Sequence, residues 1–157
     1  MVTPAVSMDP FYLLADGRRA TLKNAETWLW ATSWNSLTPR VEAGPVWIQA
    51  TISPTTIVVH PNDGGVTPDY SCAGPGTPIP PGTPMDKASP TCSLQFRQET
   101  DGSSWPVTVQ ARYSVSWVGF DGAQTVSGTL PDLTSAPAGY PLAVLTAKPE
   151  LIDADHD

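Results

Sequence analysis

The chain has 157 residues, of which 40% are apolar, and this is enough for one domain with a hydrophobic core of its own. Its 18 prolines and 12 glycines, about a fifth of the chain, exclude long helices and a helical bundle. Eight Lys and Arg residues against 15 Asp and Glu residues give a net charge of −7, and the scattered basic residues argue against nucleic acid as a partner.

The N-terminal residues contain the only helical signal. Asp9 as an N-cap and Pro10 at the first helical position predict one or two helical turns over Asp9–Leu14, ended by Gly17. We therefore expect residues 1–24 to form a segment with a short helix that packs on the following domain. No signal peptide is recognisable at the start, and no apolar run is long enough to span a membrane.

From residue 27 onward, alternating segments separated by turn residues predict β-strands. In Val46–Ile52, Val46, Ile48 and Ile52 share the apolar parity and are expected to supply the strand's core face, whereas Trp47 falls on the polar parity. Other strands are predicted over Thr27–Thr32, Thr55–His60, Cys92–Phe96, Gln124–Leu130 and Leu142–Ala147. In the longest, Trp105–Trp117, we expect Val109, Ala111, Tyr113 and Val115 to line the core, and Thr108, Gln110, Arg112 and Ser114 to face away.

This pattern of short strands predicts an all-β protein, an antiparallel β-sandwich of about seven to nine strands. The sandwich is expected to cover residues 25–148. The last residues, 149–157, are acidic and have no strand pattern, so they are interpreted as a tail.

The two cysteines, Cys72 and Cys92, bracket a Pro-rich loop over residues 73–90 that has few backbone donors to hold it in place. A disulfide closing this loop is the preferred interpretation, and it would place the protein in an oxidising compartment, secreted or at the cell envelope. Because the chain carries no export signal, we expect that signal to lie upstream. The alternative is a cytoplasmic or virion protein with reduced cysteines.

Candidate residues for chemistry are few. His60 ends a strand beside turn aspartates, but no metal-ligand or catalytic motif surrounds it. The oxygen-rich turn at Asn62 and Asp63 is a possible weak Ca²⁺ site. We predict no enzyme activity, no catalytic residue and no cofactor.

Six tryptophans are the unusual component of the composition. Trp28, Trp30 and Trp34 share one parity and predict an aromatic row along a sheet face, and Trp47 on its polar parity could join it. One interpretation places this row in the core. The other makes these four residues a binding surface for a protein chain or for sugar rings.

Several segments together resemble a PKD-like domain found in exported actinobacterial proteins. The resemblance covers about residues 25–133 and departs from the PKD pattern at the turn, where only Asp63 and Gly64 are kept, and at Leu94, which stands in place of a histidine. It implies an Ig-like sandwich, and the matching cysteines support the disulfide independently. The segments that carry it are Thr27–Trp30, Val58–Gly64, Cys72–Pro78, Cys92–Phe96 and Val107–Trp117.

The resemblance implies a noncatalytic extracytoplasmic interaction or spacer domain that binds another protein at the cell envelope. One alternative is a carbohydrate-binding accessory domain that uses exposed tryptophans. Another is a decoration or structural protein of a phage or other virion.

Overall fold

A computed structural model describes residues 3–146, and this part of the chain is all-β, with two sheets and no helix. Within it, no helix is long and apolar enough to cross a membrane. The acidic tail predicted over residues 149–157 lies outside the described residues. The strands are β1 (Val6–Asp9), β2 (Tyr12–Leu13), β3 (Arg19–Leu22), β4 (Thr27–Ala31), β5 (Arg40–Ala43), β6 (Val46–His60), β7 (Tyr70–Ala73), β8 (Ser93–Leu94), β9 (Trp105–Phe120), β10 (Thr125–Thr134) and β11 (Ala138–Leu145).

A small sheet of order β1-β4-β8 packs on a larger one of order β2-β3-β11-β9-β6-β5. In the larger sheet, β10 continues along the same edge of β9 as β11, and β7 pairs with β6. All pairs are antiparallel except β3 with β11. The residues before position 25 supply β1 to the small sheet and β2 and β3 to the large one, so this segment is part of both layers.

The short helix predicted over Asp9–Leu14 is wrong. Val6–Asp9 instead forms β1, which pairs with residues 28–31 of β4, and Tyr12–Leu13 forms β2 against β3. The residues on either side of Asp9 and Pro10 form backbone hydrogen bonds with strands of two different sheets. Pairing with distant strands therefore overrides a weak local preference for helix.

The hydrophobic core lies between the sheets and is organised by β9 and β6, which run side by side from Trp47 and Phe120 to His60 and Thr108. The side chains predicted to line the core from β9 are all at least 95% buried, and the prediction for this strand is confirmed. The opposite parity is exposed at Arg112 and Ser114 and half-buried at Thr108 and Gln110. The core cluster itself comprises Leu29, Ile57, Val59, Cys72, Cys92, Leu94, Phe96, Val107, Val109, Leu142 and Val144.

The two strands predicted before and after Pro54 are one continuous strand, β6. A shift of register between Pro54 and Thr56 marks a bulge, where the extra residue Thr55 has no partner in β9. Such a bulge tolerates proline because the ladder is already interrupted there. The strand crosses the position that the sequence alone treats as a break.

One end of the large sheet extends beyond the core as a four-stranded arm. We define the arm as β5 with residues 46–53 of β6, 114–120 of β9 and 125–130 of β10. Val46 and Ile48 have the parity of the core face but are 42% and 46% exposed, so the expectation that they supply the core is wrong. Their face was identified correctly, but nothing in the described chain covers this end of the strand.

Candidate functional site

The disulfide between Cys72 and Cys92 is confirmed, with the two Cα atoms 5.4 Å apart. Both half-cystines lie in the core, so the bond ties the Pro-rich loop to the interior of the sandwich. The loop also contacts β4: Ala31 N–H donates to Pro75 O at 2.6 Å, and Glu26 N–H donates to Met85 O at 2.8 Å. The loop is thus anchored at both ends and along its length.

The tryptophans predicted as a binding row are not a common exposed surface. Trp28 is only 3% exposed, and its indole N–H donates to Lys87 O of the Pro-rich loop at 2.8 Å. Trp30 is half-buried and lies beside Gly76, where the chain approaches so closely that a Cβ at position 76 would lie 2.3 Å from Leu29 O. Trp34 is half-buried and packs against the core cluster.

Trp47 is also half-buried, on the opposite side of the molecule's large sheet from the core. Arg40 on the neighbouring strand places its guanidinium 4.1 Å from the centre of the Trp47 ring and forms an ion pair with Glu42 at 2.7 Å. The ring therefore packs beneath a cation, an arrangement that stabilises the arm. We call this side, with Arg40, Glu42, Trp47 and Gln49, the polar arm face.

The turn at Asn62 and Asp63 uses its polar atoms for its own structure. Asn62 has a positive φ of 54°, and its side-chain amide donates to Pro106 O at 2.8 Å. Asp63 is 2% exposed, and its Oδ1 accepts the Thr67 N–H at 2.9 Å. Within residues 3–146, no group of three or more His, Cys, Asp or Glu side chains is placed to hold a metal ion.

His60 has acceptors at both ring nitrogens. Nδ1 lies 2.8 Å from Asp69 Oδ2, and Nε2 lies 2.9 Å from Gln110 Oε1. Gln110 Nε2 donates to Ser135 O, which orients its Oε1 toward the ring. A protonated ring can donate from both nitrogens, so this pair of acceptors favours the imidazolium form over the neutral one. The bond to Asp69 raises the pKa of His60 above its ordinary value, against partial burial, which lowers it.

A groove of about 350 Å³ lies next to this histidine, lined by Glu26, Asp69, Tyr70, Gln95 and Arg97 among others. Its carboxylate at Glu26 accepts hydrogen bonds from Ser93 Oγ at 2.9 Å and from Gln95 Nε2 at 3.0 Å. These groups fasten β8 to the start of β4. The Glu26, Gln95 and Asp69 side chains of the groove thus already have hydrogen-bond partners within the protein.

The feature that sequence reasoning missed is the apolar arm face, the side of the arm that continues the core face of the large sheet. Directly opposed residues in antiparallel strands lie on the same side of a sheet, and the registers place these side chains together. Its exposed members are Val41, Val46, Ile48 and Leu130, and its half-buried members are Ala50, Ile52, Trp117 and Val126, while the exposed Leu37 and Leu133 adjoin it on the same side.

Trp117 lies at the centre of this face. A Cβ at Gly128, its partner on β10, would lie 2.9 Å from three atoms of the Trp117 indole, so the ring rests directly on the glycine backbone. The ring is thereby held flat against the sheet. In the sequence, parity was the only signal that pointed to this surface. Val46, Ile48 and Ile52 share the apolar parity of one predicted strand, and Trp117 lies on the apolar parity of another.

Comparison with protein-family models, with curated proteins and with solved structures gave no match to this chain.

Proposed function

We propose that the chain is a noncatalytic interaction or spacer domain that binds another protein chain through the apolar arm face. The observation that carries this proposal is the exposure of large aliphatic side chains on one continuous side of a sheet, with Val41 67% and Leu130 56% exposed. A contiguous apolar patch of several hundred Å² is costly to leave in water and is typical of an interaction site.

The alternation of the arm supports the same conclusion. Strands with one apolar and one polar side are typical of sheets whose apolar side is covered. The polar arm face carries Arg40, Glu42, Gln49 and Thr51 beside Trp47, Val118 and Phe120, whereas every arm residue that the registers place on the apolar arm face is apolar or glycine. An arm whose two sides both remain in water would need no such separation of polar and apolar residues.

A protein partner fits this face better than a carbohydrate. Sugar hydroxyls that leave water need hydrogen-bond partners, and a burial without them is unfavourable. On the apolar arm face, the flat ring of Trp117 is surrounded by aliphatic side chains and glycine. The tryptophans first considered for sugar binding, Trp28, Trp30, Trp34 and Trp47, are each packed against other groups.

The noncatalytic part of the proposal is supported by the state of His60. A general base needs an accessible ring nitrogen, and both ring nitrogens of His60 lie within hydrogen-bond distance of side-chain oxygens of neighbouring residues. The extracytoplasmic location, secreted or at the cell envelope, is supported by the disulfide. The PKD-like identity remains part of this proposal.

The test is site-specific photo-crosslinking in cells that naturally produce the protein. A benzophenone amino acid at Val41, on the apolar arm face, is expected to form a covalent adduct with a protein chain. The same probe at Thr51, exposed on the opposite side of the same sheet, is the matched control and is expected to form none. No adduct from Val41, or equal adducts from both positions, would overturn the proposal.

A further inference from the structure

We infer that the protein chain bound by the apolar arm face is a second copy of this one, so that two arms pack face to face in a two-fold symmetric dimer. The inference rests on the proposed function and names its partner. It is carried by three properties of the face: its charge, its continuity with the core and its size.

Charge comes first. The chain has a net charge of −7, so two copies repel each other wherever charged surfaces approach. The strand registers place no acidic, basic or histidine side chain on the apolar arm face within the described residues. The charges of β5, Arg40 and Glu42, pair with each other on the opposite side. This is a surface that two copies can bring together without opposing like charges.

The same lack of charge disfavours a foreign partner. Interfaces between different proteins are commonly selected by complementary charges, and this face offers none. The face does offer an uncharged apolar surface, and a two-fold axis lets any such surface contact an identical one in an isologous interface. The recognition of a second copy therefore needs no feature beyond those present.

Continuity with the core gives the geometry. The apolar arm face is the extension of the side on which Val107 and Val109 lie in the core between the two sheets. Sheets that pack face to face lie about 10 Å apart and cross at about 30°. A second arm would therefore cover the bare end of the large sheet in the way that the small sheet covers its other end.

Two alternatives fit less well: the chain's own C-terminal end as the occupant, and the pairing of two copies at free strand edges. β11 ends at Leu145 beyond the Trp105 end of β9, so the chain leaves the sheet at the end opposite the arm. Pairing at the free edges is opposed by the shortness of β5 and by the register shift with Pro131 in β10, because such features hinder addition of a strand. Packing of faces remains.

The size of the face sets the strength. Four strand segments of four to eight residues, spaced about 4.8 Å apart, make a surface of roughly 400 Å². Two such faces bury on the order of 800 Å², which is below the standard interface of about 1,600 Å² and typical of weak association. We therefore expect a reversible dimer with a dissociation constant in the micromolar range.

The experiment is sedimentation velocity on the full chain from about 1 to about 300 µM. The unmodified protein should shift from its monomer mass of 16.7 kDa toward twice that value as the concentration rises. Val41→Glu and Leu130→Glu each place a charge on the apolar arm face and should weaken the dimer at least about tenfold. Thr51→Glu and Thr129→Glu place the same charge on the opposite side and should change it less than about twofold.

Circular dichroism and thermal unfolding establish that each variant is folded, which is expected because all four positions are exposed. A monomer at every concentration, or a dimer that the Thr51 and Thr129 variants weaken as much as the Val41 and Leu130 variants, would overturn the inference. If the chain is monomeric but Val41 crosslinks to a protein of a different mass, the second copy is wrong and the proposed function stands. If Val41 forms no adduct at all, both are wrong.

Discussion

At the scale of single residues, Val109 is the sharpest probe of the core. It is 1% exposed and belongs to β9 of the large sheet, where it lies in the core between the two sheets. Val109→Asp would bury a carboxylate without a partner, which costs several kcal/mol out of a total stability of about 5–15 kcal/mol. We expect this variant to be unfolded at room temperature, as judged by circular dichroism and by urea titration.

The matched control for this change is Ser114→Asp, on the exposed parity of the same strand. A surface substitution of this kind should alter the free energy of unfolding by no more than about 0.5 kcal/mol. If the Val109 variant unfolded at the same urea concentration as the parent, the assignment of the two faces of β9 would be wrong.

His60 links stability to pH. Its pKa is raised in the folded state, first by the bond to Asp69 and further by Gln110, so folding favours the protonated ring. The resulting stabilisation is fully present below the unfolded-state pKa of about 6.5 and is lost as the pH rises through the folded-state pKa. The free energy of unfolding should therefore fall as the pH rises above the unfolded-state value of about 6.5, measured by urea titration at each pH.

Asp69→Asn tests the cause of this dependence. Without the carboxylate, the ring loses the main group that favours its protonated form, and the decrease in stability with pH should become much smaller. The neighbouring charge of Arg112 acts in the opposite direction and remains in the variant. A stability that rises with pH in the parent, or a dependence that survives the substitution unchanged, would contradict the assignment.

At the scale of elements, long periodic strands could be predicted together with their buried sides, whereas short strands could be predicted only in part. The alternation in β9 identified its buried side chains, because sixteen residues of period-two pattern leave little ambiguity. The strand predicted over Cys92–Phe96 is present but shorter, Ser93–Leu94, whereas Tyr12–Leu13 is too short to show any period and is a strand only because β3 supplies its hydrogen bonds. Arg40–Ala43 alternates polar and apolar residues, but four exposed residues are too few to indicate a strand on their own.

The candidate site shows a different limit of sequence reasoning. Parity places Ile48 and Val115 on one side of a sheet, but it cannot state how far along the strand that side is covered. Val115 is buried, whereas Ile48 is 46% exposed, and nothing in the alternation marks where the covered part of that side ends. The same limit applies to Trp28, since the loop that covers its indole is distant in sequence.

The Pro-rich loop depends on its disulfide. Reducing Cys72–Cys92 frees the chain between them, and the loop-entropy model gives a loss of about 3 kcal/mol of stability. We expect the urea midpoint to fall on reduction and the summed tryptophan fluorescence to shift to the red, because the loop that covers the Trp28 indole is released. The double variant with Cys72→Ala and Cys92→Ala is the control and should not respond to reductant.

Equal urea midpoints with and without reductant would show that the loop is held by its hydrogen bonds alone. Alkylation of the unreduced, unfolded protein gives a separate check by intact mass. No thiol should be modified, and two modified thiols would contradict the bond.

At the scale of the whole molecule, apolar attraction and charge repulsion have opposite effects on association through the arm. The apolar arm face favours association, because it removes aliphatic side chains and the Trp117 ring from water. The net charge of −7 on each chain opposes association over distances comparable to the screening length. The balance between a short-range attraction and a longer-range repulsion makes the dimer sensitive to solution conditions, although its interface contains no charge.

Salt separates these two contributions. Raising NaCl from about 20 mM to about 500 mM shortens the screening length from roughly 20 Å to roughly 4 Å and weakens the repulsion, while the contact of apolar faces is maintained. We therefore expect the dissociation constant measured by sedimentation to fall several-fold, and Leu130→Glu to remain weak at both salt concentrations. An interface held by ion pairs, such as one built on Arg40 and Glu42 of the polar arm face, would respond in the opposite sense. A dissociation constant that rises with salt would thus place the contact on the polar arm face and contradict the inference.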